Sequence, residues 1–177
     1  MEINYESEAT FINGASTGIR CVRVMRGHAF FLKGGKEMYE SKIGYYKALF
    51  LISAIYDILL GVAFALFYRP VFAWLGISEA LPQFGGYLTL IGAFLFVIGV
   101  AYYLIYRGDL AKNRDLILVG VLYKLAYCAT AFAYFAIGQV PHVLFVAIFG
   151  VLDFIMFILM LECYLAVGKS IAAQAGK

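Results

Sequence analysis

The chain has 177 residues, of which 64% are hydrophobic and 14% are charged, and its mean hydropathy is +0.87. A water-soluble domain of this size would leave too much apolar surface in contact with water, so the composition excludes a soluble globular protein and predicts one whose solvent is lipid. The net charge of +3 is too small for a nucleic-acid-binding surface, and no nucleic-acid partner is expected.

Residues 1–46 are mixed and polar, and their frequent glycines predict a segment without stable structure. One interpretation is an N-terminal tail on the cytoplasmic side. A second interpretation places the natural start at Met38, because residues 33–37 can be encoded by purine-rich codons that resemble a bacterial ribosome-binding site. Composition alone leaves both interpretations open.

The first predicted membrane span covers residues 48–67. Within it, Ser53, Asp57 and Gly61 recur every four residues, a spacing that places them on one helical face. The dipeptide at residues 69–70 is Arg-Pro, and the residue before a proline is disfavoured in the helical region. The span is therefore expected to end there.

The segment that follows, residues 71–77, is apolar but too short to cross a membrane. It contains Trp74, and tryptophan is enriched at membrane–water interfaces. These features predict a short helix or turn that lies at the outer membrane surface.

The second predicted span, residues 85–106, has a glycine every seven residues, at Gly85, Gly92 and Gly99. Small residues along one stripe let neighbouring helices approach closely. Packing within the monomer is favoured over a homodimer face, since a four-span bundle needs such contacts in any case. Near the end of this span an interfacial belt is expected from Tyr102, Tyr103 and Tyr106.

Two further spans are predicted, over residues 115–137 and 143–166, and a short tail follows over residues 168–177. The fold class is therefore all-α: residues 47–167 are expected to form a polytopic four-transmembrane-helix bundle with up-down connections.

Three of the predicted spans carry a charged residue near mid-membrane, namely Asp57, Lys124 and Asp153. An unanswered charge at that depth costs several kcal/mol, so the three side chains are predicted to meet in the core. At about 1.5 Å per residue, the two aspartates lie at one level and the lysine roughly one turn away, an offset that its stem can cover. Tyr123 and Tyr127 are expected to add hydroxyl groups to this polar cluster.

Two interpretations of the cluster stay open. It is either a buried ion pair that sets helix register or a working site. Two carboxylates share one ammonium, so one carboxylate is expected to hold a proton near neutral pH and to relay protons or bind a polar head group. A fourth charge, Glu162, lies nearer the cytoplasmic end and is expected to pair with Arg107 or Lys169.

The distribution of basic residues predicts the topology. One set of segments is rich in lysine and arginine, whereas the two opposite loops hold only Arg69. The positive-inside rule then places both termini and the second loop in the cytoplasm. The residues on the cytoplasmic side are Lys42, Lys47, Arg107, Lys112, Arg114, Lys169 and Lys177.

The four-span pattern resembles the small bacterial DoxX-like four-helix membrane proteins over about residues 42–167. The similar features are Asp57 and Gly61 in the first span, Pro70 after it, Gly92 and Gly99 in the second span, and the sequence Lys-Asn-Arg-Asp at residues 112–115. This resemblance implies a four-helix bundle in the cytoplasmic membrane. Some members of the family are associated with quinone-linked sulfur oxidation, and no family catalytic residues can be carried over to this chain.

The function predicted is that of a membrane accessory or binding protein for a lipid-like or quinone-like ligand, or of a subunit of a membrane complex. The alternative is a small proton-coupled transporter that uses Asp57 and Asp153. An enzyme is not predicted, because the sequence shows no nucleophile–base pair or phosphate-binding loop. No metal site is predicted, since no cysteines and histidines have the spacing of zinc ligands. Expected partners are the lipid bilayer and either a membrane protein or a second copy.

Overall fold

The computed structural model describes the backbone of residues 18–175 and the side chains of residues 41–175. Within that range the chain is helical and contains no strand. A single-turn 3₁₀ helix, Ser78–Ala80, lies between the second and third helices. The helices are α1 Gly18–Leu66, α2 Tyr68–Trp74, α3 Gly86–Arg107, α4 Arg114–Ala136 and α5 Val143–Ala175, the last with a π-helical segment at Val146–Leu152.

Four stretches of these helices are long and apolar enough to cross a membrane: Ser41–Leu66 of α1 and the whole of α3, α4 and α5. A helix satisfies its backbone hydrogen bonds internally, which is what a chain in hydrocarbon requires. All four expose large apolar side chains on the outside of the bundle, where lipid replaces water as solvent. The predicted all-α, four-helix membrane bundle is confirmed.

The spanning helices follow one another around the bundle. α1 packs against α3 and α5, α4 packs against α5, and α3 makes a smaller contact with α4. α1 and α4 are therefore diagonal, as expected for up-down connections. Two apolar clusters fill the core, one around Phe50 and Ile105 and the other around Phe64 and Leu95. The mid-span charges lie between them.

The tightest helix pair, α1 with α3, depends on glycine. A Cβ atom added to Gly61 would lie 2.6 Å from the backbone nitrogen of Phe96 and 2.8 Å from the carbonyl oxygen of Gly92. A Cβ on Gly99 would lie 2.9 Å from the backbone nitrogen of Ile58. The backbones approach so closely that no side chain fits between them. The glycine stripe of the second span thus packs inside the monomer, as the sequence favoured.

The first helix begins much earlier than predicted. The expectation that residues 1–46 lack stable structure is wrong for residues 18–46, which belong to α1; residues 1–17 lie outside the described residues. An interior glycine costs a helix only about 1 kcal/mol, and extending a helix already formed by the span avoids the cost of nucleation. The Met38 start remains a prediction.

The last helix ends later than predicted. Residues 168–175, expected to form a tail, are the final turns of α5, for the same reason that extension of an existing helix needs no new nucleus. Residues 176–177 lie outside the described residues.

The short helix predicted at residues 71–77 is present as α2, shifted to Tyr68–Trp74. Phe67, with φ −121° and ψ 19°, separates it from α1, which ends at Leu66. Pro70 lies beyond the end of the span, as expected, but in the first turn of α2, where its missing N–H removes no helical hydrogen bond. Trp74 is 82% exposed in the isolated chain. Its placement at the membrane surface stays a prediction.

Candidate functional site

The three mid-span charges form a buried ion cluster, which consists of Asp57, Lys124 and Asp153. The Lys124 Nζ donates a hydrogen bond to Asp57 Oδ1 at 2.8 Å and another to Asp153 Oδ1 at 2.9 Å. The Asp57 and Lys124 side chains are fully buried, and that of Asp153 is 2% exposed. The structure therefore brings together three residues that the sequence places on α1, α4 and α5.

Local structure sets the position of each carboxylate. Asp57 lies on the buried stripe of α1 with Ser53, whose hydroxyl donates to the Leu49 carbonyl oxygen at 2.9 Å. Asp153 is the first residue after the π-helical segment of α5. A π-helical turn widens the helix and rotates the residues that follow it.

Aromatic rings surround the ammonium group. The Lys124 Nζ lies 4.7 Å from the centre of the Tyr56 ring and 5.8 Å from the centres of the Tyr102 and Tyr123 rings. A cation near the face of an aromatic ring gains about 0.5–2 kcal/mol, with the upper value for desolvated sites. The rings therefore stabilise the same charge that the two carboxylates neutralise.

Sequence reasoning missed Tyr56 and misplaced Tyr102. Tyr102 is not part of an interfacial belt: it is 1% exposed, and its hydroxyl donates to the Gly120 carbonyl oxygen at 3.2 Å. Its separation by three residues from Gly99, on the face of α3 that packs inward, was a usable signal. For Tyr56, the signal was its position beside Asp57 in mid-span. Its hydroxyl donates to the Ile148 carbonyl oxygen, in the π-helical segment, at 3.2 Å.

Tyr123 and Tyr127 lie near the ion cluster, but not in the manner predicted. No hydrogen bond joins either hydroxyl to a carboxylate in the part of the chain whose side chains are described. Tyr123 presents its ring to the ammonium, and its hydroxyl oxygen is buried without a hydrogen-bond partner. The two tyrosine rings pack together with centroids 4.7 Å apart. Ring faces, rather than hydroxyls, are what this pair contributes.

The ion cluster has one carboxylate more than it has cations. Both hydrogen bonds from Lys124 use Oδ1 atoms, and Asp57 Oδ2 is buried with no hydrogen-bond partner among the described residues. A buried carboxylate oxygen without a donor is costly, and a proton or a water molecule on it removes most of that cost. The arrangement is chemically able to hold one proton in the membrane interior.

A cavity of about 490 Å³ opens beside the cluster, toward the α2 end of the bundle. It lies between the start of α3, the second half of α4, and the start of α5, and its lining contains no charged side chain. Five aromatic rings dominate the wall, and threonine and glutamine side chains add polar groups. The lining includes Phe64, Tyr127, Thr130, Ala131, Tyr134, Gln139, Phe145, Val146 and Phe149.

Two structural links join the cavity to the ion cluster. Tyr127 lines the cavity and packs on Tyr123, whose ring faces the Lys124 ammonium. The π-helical segment is the second link, because Val146 and Phe149 line the cavity and Asp153 directly follows the segment. Anything bound in the cavity therefore touches the two elements that also hold the buried charges.

Glu162 does not form the ion pair predicted for it. The Lys42 Nζ lies 2.7 Å from its Oε1 atom, and the Tyr46 hydroxyl donates to the same atom at 3.1 Å. The predicted partners were Arg107 and Lys169. Lys42 precedes the predicted first span and was expected in a polar tail, so no sequence pattern placed it on a helix beside α5.

No family model, curated protein or solved structure matches this chain. The resemblance to DoxX-like proteins therefore stays a prediction.

Proposed function

We propose that the protein is an integral membrane accessory or ligand-binding protein of DoxX-like type, and that it binds a lipid-like or quinone-like molecule in the cavity between α3, α4 and α5. The observation that carries the proposal is the cavity itself. Its volume of about 490 Å³ falls within the range of roughly 300–1,000 Å³ that is typical of small-molecule sites.

The chemistry of the lining supports an amphiphilic ligand. Aromatic and aliphatic side chains form most of the wall. They suit the acyl chain or the ring of a ligand that enters the cavity from the bilayer. The polar groups are few: the hydroxyls of Tyr127 and Tyr134 and the amide of Gln139 are the ones suited to orient a polar head group. A charged, water-soluble substrate would find no counter-ion there.

The proposal includes a location and a partner. The protein resides in the cytoplasmic (inner) membrane, as the resemblance to DoxX-like proteins implies. Both termini are in the cytoplasm, and the distribution of basic residues supports this orientation. It acts either alone, in contact with the bilayer, or as a subunit beside another membrane protein or a second copy.

The test is to fill the cavity and measure the bound ligand. Ala131 lines the cavity, whereas Ala133 lies two residues further along α4, is exposed and does not line it. The wild type, Ala131→Phe and Ala133→Phe are purified from native membranes, and copurifying lipids and quinones are identified by mass spectrometry. We expect one amphiphile to be enriched with wild type and Ala133→Phe and to be lost from Ala131→Phe. Equal retention by both variants would disprove cavity binding.

A second candidate is a small proton-coupled transporter, which the excess carboxylate and the unpartnered Asp57 Oδ2 favour. A transporter needs its carboxylates on a wet path, and here they are enclosed, so the binding role is preferred. The discriminating measurement is proton release when the copurified ligand is added to protein in weakly buffered solution containing a pH dye. Release that disappears in Asp57→Asn would favour transport, and binding without release would favour the accessory role.

A further inference from the structure

The guanidinium of Arg114 is held in a fixed position at one end of the bundle. Arg114 is the first residue of α4, and its guanidinium carbon lies 4.5 Å from the centre of the Tyr164 ring of α5. Its Nη2 also donates to the Tyr164 hydroxyl at 3.0 Å. One tyrosine thus fixes both the plane and the rotation of the arginine.

The backbone of α5 leaves room for this arrangement at Gly168. A Cβ atom added there would lie 3.2 Å from Arg114 Nη2 and 3.5 Å from Nε, so a larger residue would crowd the guanidinium. The Nε atom is buried and has no hydrogen-bond partner among the described residues. The arginine is therefore positioned by packing, and its Nε–H group is left without an acceptor among those residues.

Arg114 forms no ion pair with any residue whose side chain the structure describes. No carboxylate of the described side chains lies within 4.0 Å of its guanidinium, unlike the situation at Lys42 and Lys124. Two acids lie near it in sequence. Asp115 is the next residue but forms no ion pair with it, and Asp109 accepts from the backbone N–H groups of Ala111 and Lys112. Lys112 is exposed in the same loop. Residues 107–115 hold three basic residues and two acidic ones, so the net charge of this segment is +1.

The depth of this site matches lipid phosphates. Arg114 begins a span, so its guanidinium lies at the boundary where the hydrocarbon ends and head groups begin. Further into the span, the same two helices expose apolar side chains, Val119 and Leu122 on α4 and Ile158 on α5. A molecule with a phosphate at the guanidinium and acyl chains along these helices would satisfy both surfaces.

We propose that Arg114, oriented by Tyr164, binds the phosphate of an anionic phospholipid from the bilayer. An arginine presents parallel N–H donors that match phosphate oxygens, and basic pockets between spanning helices recognise anionic head groups. Lys112 adds positive charge that selects an anionic lipid over a zwitterionic one. The site is separate from the cavity, and its occupancy does not depend on the function proposed above.

The test measures lipid binding to delipidated protein in a nonionic detergent by native mass spectrometry. Phosphatidylglycerol is compared with phosphatidylcholine, which has the same phosphate but no net charge. We expect phosphatidylglycerol to bind more tightly, and Arg114→Gln to weaken it about tenfold, which corresponds to about 1.4 kcal/mol. The matched control is Arg69→Gln, which removes a basic residue at the opposite end of the bundle and should leave the affinity unchanged.

Two further variants separate orientation from charge. Tyr164→Phe keeps the ring and should lose little affinity, whereas Tyr164→Leu removes the stacking surface and should approach the loss of Arg114→Gln. Thermal unfolding of each variant in detergent checks that it is folded. Equal affinity for the two lipids, equal losses in Arg69→Gln and Arg114→Gln, or complete competition by inorganic phosphate would each overturn the proposal, the last because the ligand would then be a free anion.

Discussion

At the scale of single residues, Lys124 occupies the least favourable environment in the bundle, and its neighbours explain how it is tolerated. Removing an ammonium from water costs several kcal/mol even after relaxation, and one partner rarely compensates. Two carboxylate oxygens at 2.8 and 2.9 Å and three tyrosine rings share the task here. The stability of the cluster therefore depends on all of its members being present.

We predict that Lys124→Leu lowers the free energy of unfolding by roughly 3–5 kcal/mol, because it leaves Asp57 and Asp153 buried without a counter-ion. Both would then tend to take up protons. The measurement is reversible unfolding in mixed micelles, followed by far-ultraviolet circular dichroism.

The control is the triple variant Asp57→Val, Lys124→Leu, Asp153→Val, which leaves no charge unpaired and should be much less destabilised. A triple variant as unstable as Lys124→Leu would contradict this account. A stable triple variant that has lost the cellular function would show that the ion cluster is a functional site. A stable variant that keeps the function would show that the cluster only sets the helix register.

At the scale of elements, the contact between α1 and α3 is set by backbone approach. Gly61, Gly92 and Gly99 remove the side chains that would hold the helices apart, and in a membrane such close packing replaces the hydrophobic effect as the force between helices. The same contact holds the Asp57 face of α1 at the centre of the bundle. Helix packing and placement of the charge therefore have a common origin.

We predict that Gly61→Ala destabilises the bundle by about 1–3 kcal/mol, because its Cβ would overlap the backbone of α3. Gly44→Ala is the matched control on the same helix: nothing lies within 4 Å of its added Cβ, and the better helix former should be neutral or stabilising by up to about 1 kcal/mol. Unfolding in micelles measures both. Equal effects from the two substitutions would show that α1 and α3 are not in close contact.

The π-helical segment contributes to both the cavity and the surroundings of the ion cluster. It supplies Phe149 to the cavity wall, it accepts the Tyr56 hydrogen bond at Ile148, and it ends at Asp153. Nothing in its sequence, Val-Ala-Ile-Phe-Gly-Val-Leu, distinguishes it from an ordinary apolar helix. The segment packs against α4 and accepts from Tyr56 of α1.

At the scale of the whole molecule, charge and hydropathy together describe how the bundle sits in a membrane. Four stretches meet the length and hydropathy of spans, and the ends of those spans differ sharply in basic residues. Loops rich in lysine and arginine are retained on the cytoplasmic side. The expected orientation follows from this asymmetry.

We predict that a cysteine at position 177 is protected from an impermeant thiol reagent added to intact cells, whereas a cysteine at position 139 reacts. The variants Lys177→Cys and Gln139→Cys are made in a background in which Cys21, Cys128 and Cys163 are replaced by serine. Labelling is read from the purified protein by mass shift. The opposite labelling pattern would reverse the topology.

Much of the architecture was predictable because the bilayer restricts the choices. Length and hydropathy located all four spans, since a crossing helix needs about twenty apolar residues. The limits of α1 and α5 were predicted less well, because polar helical turns outside the hydrocarbon have no hydropathy signal. The contact between Asp57, Lys124 and Asp153 could be predicted because a charge inside the hydrocarbon region needs a partner of opposite charge, and the spans contain few other charged residues.

The class of protein, the number of spans and the charges that needed partners in the core could all be predicted from residue types and their order. They depend on the free energy of transfer from water to lipid, which is a property of each residue on its own. Tertiary structure decided that Tyr56 and Tyr102 surround Lys124, that Glu162 pairs with Lys42, and that a cavity opens beside Tyr127. These features depend on the rotation of each helix about its axis and on where packing is incomplete. Rotation and packing are set by pairs of helices, and one apolar sequence is compatible with many rotations and packing arrangements.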